Sequence, residues 1–162
     1  MIRALAGLAA SLLSAGPATA RDLIIIDLAH QAHHLTQVEL AALPQESLSA
    51  KTRDGQPHVF RGPSFSAILK IANAPSGAEL RGPDLADVVL VSARDGYRVA
   101  LSLAETDPSL GGGNIVLADQ VDGKAIGSGD GPLRLIVAGD ARPARWARKV
   151  CRIAVIRLGE AP

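Results

Sequence analysis

One cysteine in 162 residues, Cys151, sets the narrowest limit on how this chain folds. A lone thiol closes no internal disulfide, so no covalent staple holds the structure. Zinc sites built from several cysteines are excluded with it. There is no C-x-x-C-H haem signature, and Met1 is the sole methionine. The fold must therefore rest on packing and hydrogen bonding. The 48% of hydrophobic residues supplies enough apolar side chain for one real core.

The lone cysteine weighs more because the N-terminus reads as an export address. Arg3 gives a basic start, residues 4–15 form an apolar run, Pro17 breaks it, and Ala18-Thr19-Ala20 offers small residues where a signal peptidase cuts. A run of that length is too short for a spanning helix, which needs about 20 residues. The expectation is a signal peptide over 1–20, cleavage after Ala20, and one domain over 21–162, periplasmic or secreted, with no membrane insertion afterwards. Removing Arg3 and no acid turns 17 basic against 16 acidic residues into 16 against 16. Such a balance gives no electrostatic reason to seek nucleic acid or an anionic membrane. The cations gathered at Arg142, Arg145, Arg148, Lys149 and Arg152 are expected to form a solvated rim.

Short β-branched runs separated by Gly-bearing turns dominate the remainder. Residues 23–28 predict a strand. Thr36-Gln37-Val38-Glu39 is a capping box opening a short helix that stops at Pro44. Asp54-Gly55 joins an extended segment over 48–52 to one over 57–61. Pro63 suits a first helical turn, and Phe65, Ile68, Leu69 and Ala72 follow at helical spacing. Arg94-Asp95-Gly96 predicts a hairpin between 88–92 and 97–101. Gly111-Gly112-Gly113 reads as a flexible loop. Strands are expected over 115–118 and 133–137, with Asp122-Gly123 a turn between them. A long closing strand over 150–158 alternates Val150, Arg152, Ala154, Ile156 and Leu158 against Cys151, Ile153, Val155 and Arg157. The fold class is α+β, β-rich, with a few short helices.

Several segments, in order, resemble one family. They are Leu35-Thr36-Gln37-Val38-Glu39-Leu40; Phe60-Arg61-Gly62 with Ile68-Leu69; Asp95-Gly96-Tyr97-Arg98-Val99 with Leu103-Ala104-Glu105; Val116-Leu117-Ala118 with Asp122-Gly123-Lys124; and Gly131-Pro132-Leu133-Arg134-Leu135 with Trp146. Together they are similar to the molybdopterin-binding domain of the sulfite oxidase family. The resemblance implies that family's mixed, β-rich fold and molybdopterin as the cofactor to consider. It also implies a cysteine thiolate on molybdenum, in the segment before Phe60. Residues 49–55 contain none, and Thr52, Asp54 and Gly55 stand there instead, as in small exported members. A soft thiolate stabilises high-valent molybdenum in a way these side chains do not. Cys151, within an apolar strand, reads as a small buried filler.

The expected function is therefore a non-catalytic accessory module that binds a small anionic ligand or a periplasmic protein partner, with no cofactor. The alternative is a molybdopterin-dependent oxidoreductase with non-cysteine metal coordination and a redox partner. Candidate ligand-binding residues are Thr52, Asp54, Tyr97, Arg98, Arg134, Asp140 and Trp146. Arg134, mid-strand among leucines, is the strongest, since a guanidinium facing a cleft recognises carboxylate or phosphate. His30, His33 and His34 offer a copper or zinc site as a lesser option, although the favoured reading is a surface connector. No G-x-S-x-G supports a serine hydrolase, and the glycine triplet lies outside a βαβ unit, which disfavours a nucleotide cradle.

Overall fold

A computed structural model describes residues 22–158, so the expected signal segment lies outside the described residues. The chain runs β1 (Leu23–Ile26), β2 (Ala32–Leu35), α1 (Gln37–Ala42), β3 (Gln45–Lys51), β4 (Pro57–Pro63) and α2 (Phe65–Ile71). It continues through β5 (Val88–Ala93), β6 (Arg98–Ser102), β7 (Ile115–Ala118), β8 (Gln120–Val121), β9 (Lys124–Ala125), β10 (Arg134–Val137) and β11 (Val150–Ile156). Short 3-10 turns fill several connections. The architecture is β-rich with two α-helices among the described residues.

Local chemistry sets the boundaries. At α1 the Thr36 N–H donates to Glu39 Oε2 at 2.8 Å while the Glu39 N–H donates to Thr36 Oγ1 at 3.3 Å. That is the reciprocal box the sequence encodes, and Pro44 follows the last turn. In α2 the apolar stripe is buried as its spacing requires: Phe65, Ile68, Leu69 and Ala72 all lie in the core. Pro63 is not in that helix. It ends β4, paired with Gln45, and Ser64 takes the N-cap position.

Three sheets result among the described residues. The largest has the order β2-β1-β11-β5-β6, with β1 and β11 parallel and every other neighbour antiparallel. Strands β3-β4-β8-β9 form a second, and β10-β7 a third. An isolated bridge from Ser64 to Val116 ties β4 to β7. One apolar cluster joins them, with Ile25, Val91, Leu101, Ile153 and Val155 from the large sheet and Phe60, Ile68, Leu117, Leu135 and Ile136 from the rest.

Four expectations need correction. The histidine-bearing connector is a strand, β2, because Ala32 to Leu35 completes the edge of the large sheet against β1. The alternation expected along β11 breaks at its start. A register shift between Val150 and Arg152 lets Val150, Ile153 and Val155 all face the core. Cys151 sits at that irregularity half-buried, its thiol 3.6 Å from the Ser92 carbonyl, rather than as a buried filler. The glycine triplet is packed rather than free, for a Cβ on Gly112 would stand 2.1 Å from the Glu105 carbonyl oxygen.

Gly62 is the tightest contact between sheets. A Cβ there would lie 2.2 Å from the Leu117 carbonyl oxygen and 2.8 Å from Ala118 Cα. The atoms it would meet, from Leu117 to Asp119, are all backbone, so nothing flexible is there to yield. Gly62→Ala is therefore expected to cost about 3 kcal/mol, a fall of roughly 10 °C in the thermal midpoint. Gly127→Ala, where a Cβ meets open space, is expected to leave the midpoint almost unchanged. Scanning calorimetry on the pair checks this, and equal midpoints would contradict the close approach.

Candidate functional site

The site is built around two buried rings. Phe60 points inward from β4 and is 1% exposed. Trp146 follows a 3-10 turn at Pro143–Arg145, and its indole N–H donates to the Val137 carbonyl at 2.9 Å. The rings meet edge to face, with centroids 5.7 Å apart at 81°.

Arg134, the first residue of β10 rather than a mid-strand one, lays its guanidinium against both rings. Its Cζ is 5.9 Å from the Phe60 centroid and 5.7 Å from that of Trp146. Its Nη1 donates to Asp130 Oδ2 at 3.0 Å. Its Nε is buried without a hydrogen-bond partner. Burial pushes the guanidinium below its ordinary pKa, Asp130 opposes that shift, and the like charge of Arg148 adds to it. An arginine nevertheless stays charged at neutral pH.

Two chambers share Thr52 and Arg134 as walls. One, about 690 Å³, is polar and is also lined by Arg53, Asp54, Asp95, Tyr97, Trp146 and Arg148. The other, about 390 Å³, is more apolar, with His58, Phe60, Val121 and Ile126. A groove of about 850 Å³ continues from the first chamber between the β3–β4 hairpin and residues 138–144, bringing Lys51, Arg53 and Arg142 to its sides.

Two contacts fix the loop that forms one wall. The Tyr97 hydroxyl donates to the Ala144 carbonyl at 2.6 Å. Arg145 grips Asp140, with Nη2 2.6 Å from Oδ1, and reaches Glu105 at 3.1 Å through Nη1. The hydrogen bonds to Asp140, with Glu105 second, push the Arg145 pKa up against the effect of its partial burial. The opposite wall is the β3–β4 turn, where the Thr52 hydroxyl and the Gln56 N–H both donate to Asp54. Those bonds hold the Asp54 carboxyl below its usual range.

Of the sequence candidates, Thr52, Asp54, Tyr97, Arg134 and Trp146 come together around one chamber. Asp140 borders the adjoining groove, but its carboxylate is occupied by Arg145. Arg98 is not brought in. It stands on the outer face of β6, cross-strand from Ser92. The histidines do not converge either. His33 and His34 point to opposite faces of β2, His33 bonds the Asp27 carboxylate at 3.0 Å, and His30 occupies a turn. Among the described residues no cluster of three potential metal ligands occurs. The basic cluster near the end is not one rim. Arg142 and Arg148 face the cleft, Arg145 is the loop clamp, and Arg152 lies on the outer face of the large sheet. Sequence reasoning missed Arg148 and Asp130 as site residues. Asp130 bonds both Arg134 and Arg148, and its only sequence signal is a position four residues before Arg134.

His58 is a further addition. Its Nδ1 lies 2.6 Å from Asp122 Oδ2, and its Nε2 is 3.9 Å from Asp54 Oδ2. The hydrogen bond it donates to Asp122 raises its pKa against a smaller lowering by burial. A raised folded-state pKa makes protonated His58 stabilising below the unfolded value near 6.5, and that contribution fades as pH rises through the folded value. The thermal midpoint of the wild type, measured relative to His58→Gln, is therefore expected to fall as pH rises through and above about 6.5. Parallel pH profiles of the two proteins would refute the pairing.

No family model and no curated protein matches the chain. Among solved structures it is similar to the sulfane dehydrogenase SoxCD from Paracoccus pantotrophus, with a TM-score of 0.64 and 17% identity over 85% of this chain and 38% of that one. The chain thus spans well under half the length of that structure. Identity so low speaks for fold alone, and what it supports is a distant likeness of fold to that structure.

Proposed function

We propose that this chain is an exported, non-catalytic module on a sulfite-oxidase-type scaffold, and that it binds a small oxyanion or carboxylate in the cleft of Arg134. The observation that carries the proposal is the Arg134 Nε, a donor buried without a partner beside an accessible chamber. A buried unpaired donor is costly, and a bound anion satisfies it. Arg148 and Arg53 line the same chamber, so the local field favours a negative ligand although the chain as a whole is close to neutral. The aromatic rings beneath the guanidinium fix its orientation before any ligand arrives, which lowers the ordering cost of binding.

The donors do not fit a molybdenum centre. The hairpin that borders the cleft offers the Thr52 hydroxyl and the Asp54 carboxylate, already bonded to each other. The one thiol, on Cys151, belongs to β11 and lines neither chamber. Hydroxyl and carboxylate are hard ligands unlike the thiolate such a metal takes. No metal-centred step follows from these residues.

Two measurements test the reading. Protein produced in a molybdopterin-competent host is expected to contain neither molybdenum nor pterin in stoichiometric amount, and a full complement of either would establish the oxidoreductase reading instead. Titration calorimetry with sulfate and with phosphate is expected to give one site that weakens with ionic strength. Arg134→Met keeps apolar contact with the two rings and removes the unpaired donor, so it should fold while binding falls by about tenfold to a hundredfold. Equal anion affinity in the variant would refute the assignment.

A further inference from the structure

The large sheet has a second face, whose apolar residues are half-buried and belong to no core cluster among the described residues. Inward residues of β1, β5, β6 and β11 belong to the core, while their outward neighbours do not pack against that cluster. Cross-strand register shows what those outward residues make. Ile26, Ala154 and Leu90 lie side by side across β1, β11 and β5. Ile156 pairs with Val88 one step further along, and Ile24 stands on the same face of β1. Ala154, on the central strand, is small, so Ile26 and Leu90 flank a shallow trough over it, closed along β11 by Arg152 at one end and Ile156 at the other. A contiguous apolar field of this kind marks an interaction surface.

One border of the field is basic. Arg152 pairs with Ile24 on one side and Ser92 on the other, and Ser92 pairs with Arg98. His34, opposite Ile24, extends the row. Both arginines are exposed and neither has an ion-pair partner among the described residues. They are two strands apart, about 10 Å.

This charge layout argues against a second copy of the chain. Two such faces stacked about an axis along the strands set arginine row over arginine row. Stacked about an axis across the strands, they lay each arginine row on the other copy's Ile156 and Val88. The first arrangement is repulsive and the second buries unpaired charge. Every strand under the trough already has two sheet neighbours, so the surface asks for side-chain packing and not for main-chain hydrogen bonds. Helix on sheet is the layer arrangement that supplies it.

We propose that the outer face of the five-stranded sheet seats an amphipathic helix of a partner protein, its apolar stripe over Ile26, Ala154 and Leu90 and its carboxylates at the Arg98–Arg152 border. None of these residues lines the chambers at Arg134, so the proposal stands apart from anion binding.

The probe is a labelled synthetic helix with leucines at i, i+3, i+4 and i+7 and two glutamates at one end. Fluorescence anisotropy with the full chain is expected to show saturable binding that weakens as salt is raised. Leu90→Glu is expected to abolish it, since the helix would then bury a carboxylate against leucine. The exposed pair Arg98→Glu/Arg152→Glu keeps the fold intact. It is expected to weaken the glutamate peptide by about tenfold and to accept a peptide with lysine in place of glutamate. Absence of binding to the full chain overturns the proposal, as does affinity indifferent to the charge swap. Sedimentation that shows a dimer abolished by Leu90→Glu overturns it as well, because a second copy would then hold the face.

Discussion

The approach of Gly62 to the backbone of Leu117 and Ala118 governs how the sheets meet. Strand β4 pairs with β3 on one edge and β8 on the other, and through Ser64 it also touches β7. With no internal disulfide available, this strand carries most of the connection between the hairpin sheet and the β7–β10 pair, with β3 also touching β7. Only a residue without a Cβ lets the strands close to that distance. The same approach brings Phe60, two residues earlier, under the guanidinium of Arg134. A packing constraint in the core thereby sets the position of the most distinctive charged group in the cleft.

Charge is handled differently in different parts of the molecule. Arg145 is satisfied on both sides by Asp140 and Glu105 and acts as a mechanical tie. Asp27 spends its carboxylate on the Ala29 and Gln31 amides and on His33, which closes the β1–β2 turn. Arg134 alone combines a paired terminal nitrogen with an orphaned Nε. Buried polar atoms are almost always bonded. Among the described residues the exceptions are both Asp87 carboxylate oxygens, Asp119 Oδ1 and this Nε, and of these only the Nε belongs to a residue that walls both chambers, where a ligand completes the set.

Much of the fold was legible because the relevant signals are local. The capping box at Thr36 and Glu39, the turns at Asp54-Gly55 and Asp95-Gly96, and the α2 stripe each specify structure within a few residues. What stayed hidden depended on contacts between distant segments. Strand β2 reads as polar and histidine-bearing, and only its pairing with Ile24 and Ile25 makes it a strand. The register shift at Cys151 is invisible in an alternating pattern. Within the cleft, Arg134, Thr52, Tyr97 and Trp146 were found by residue type and resemblance. Arg148 was not, because a basic run near the end of a chain looks the same whether its members share one face or, as here, turn to three different ones.

The parallel pairing of β1 with β11 has a kinetic corollary. Ile24 lies beside Arg152, so the second strand of the large sheet in spatial order waits for the last strand in sequence. Loop closure over such a separation is slow. A nascent polypeptide emerging residue by residue cannot complete this sheet until β11 has been made, and until then β1 lacks its neighbour at the centre of the sheet.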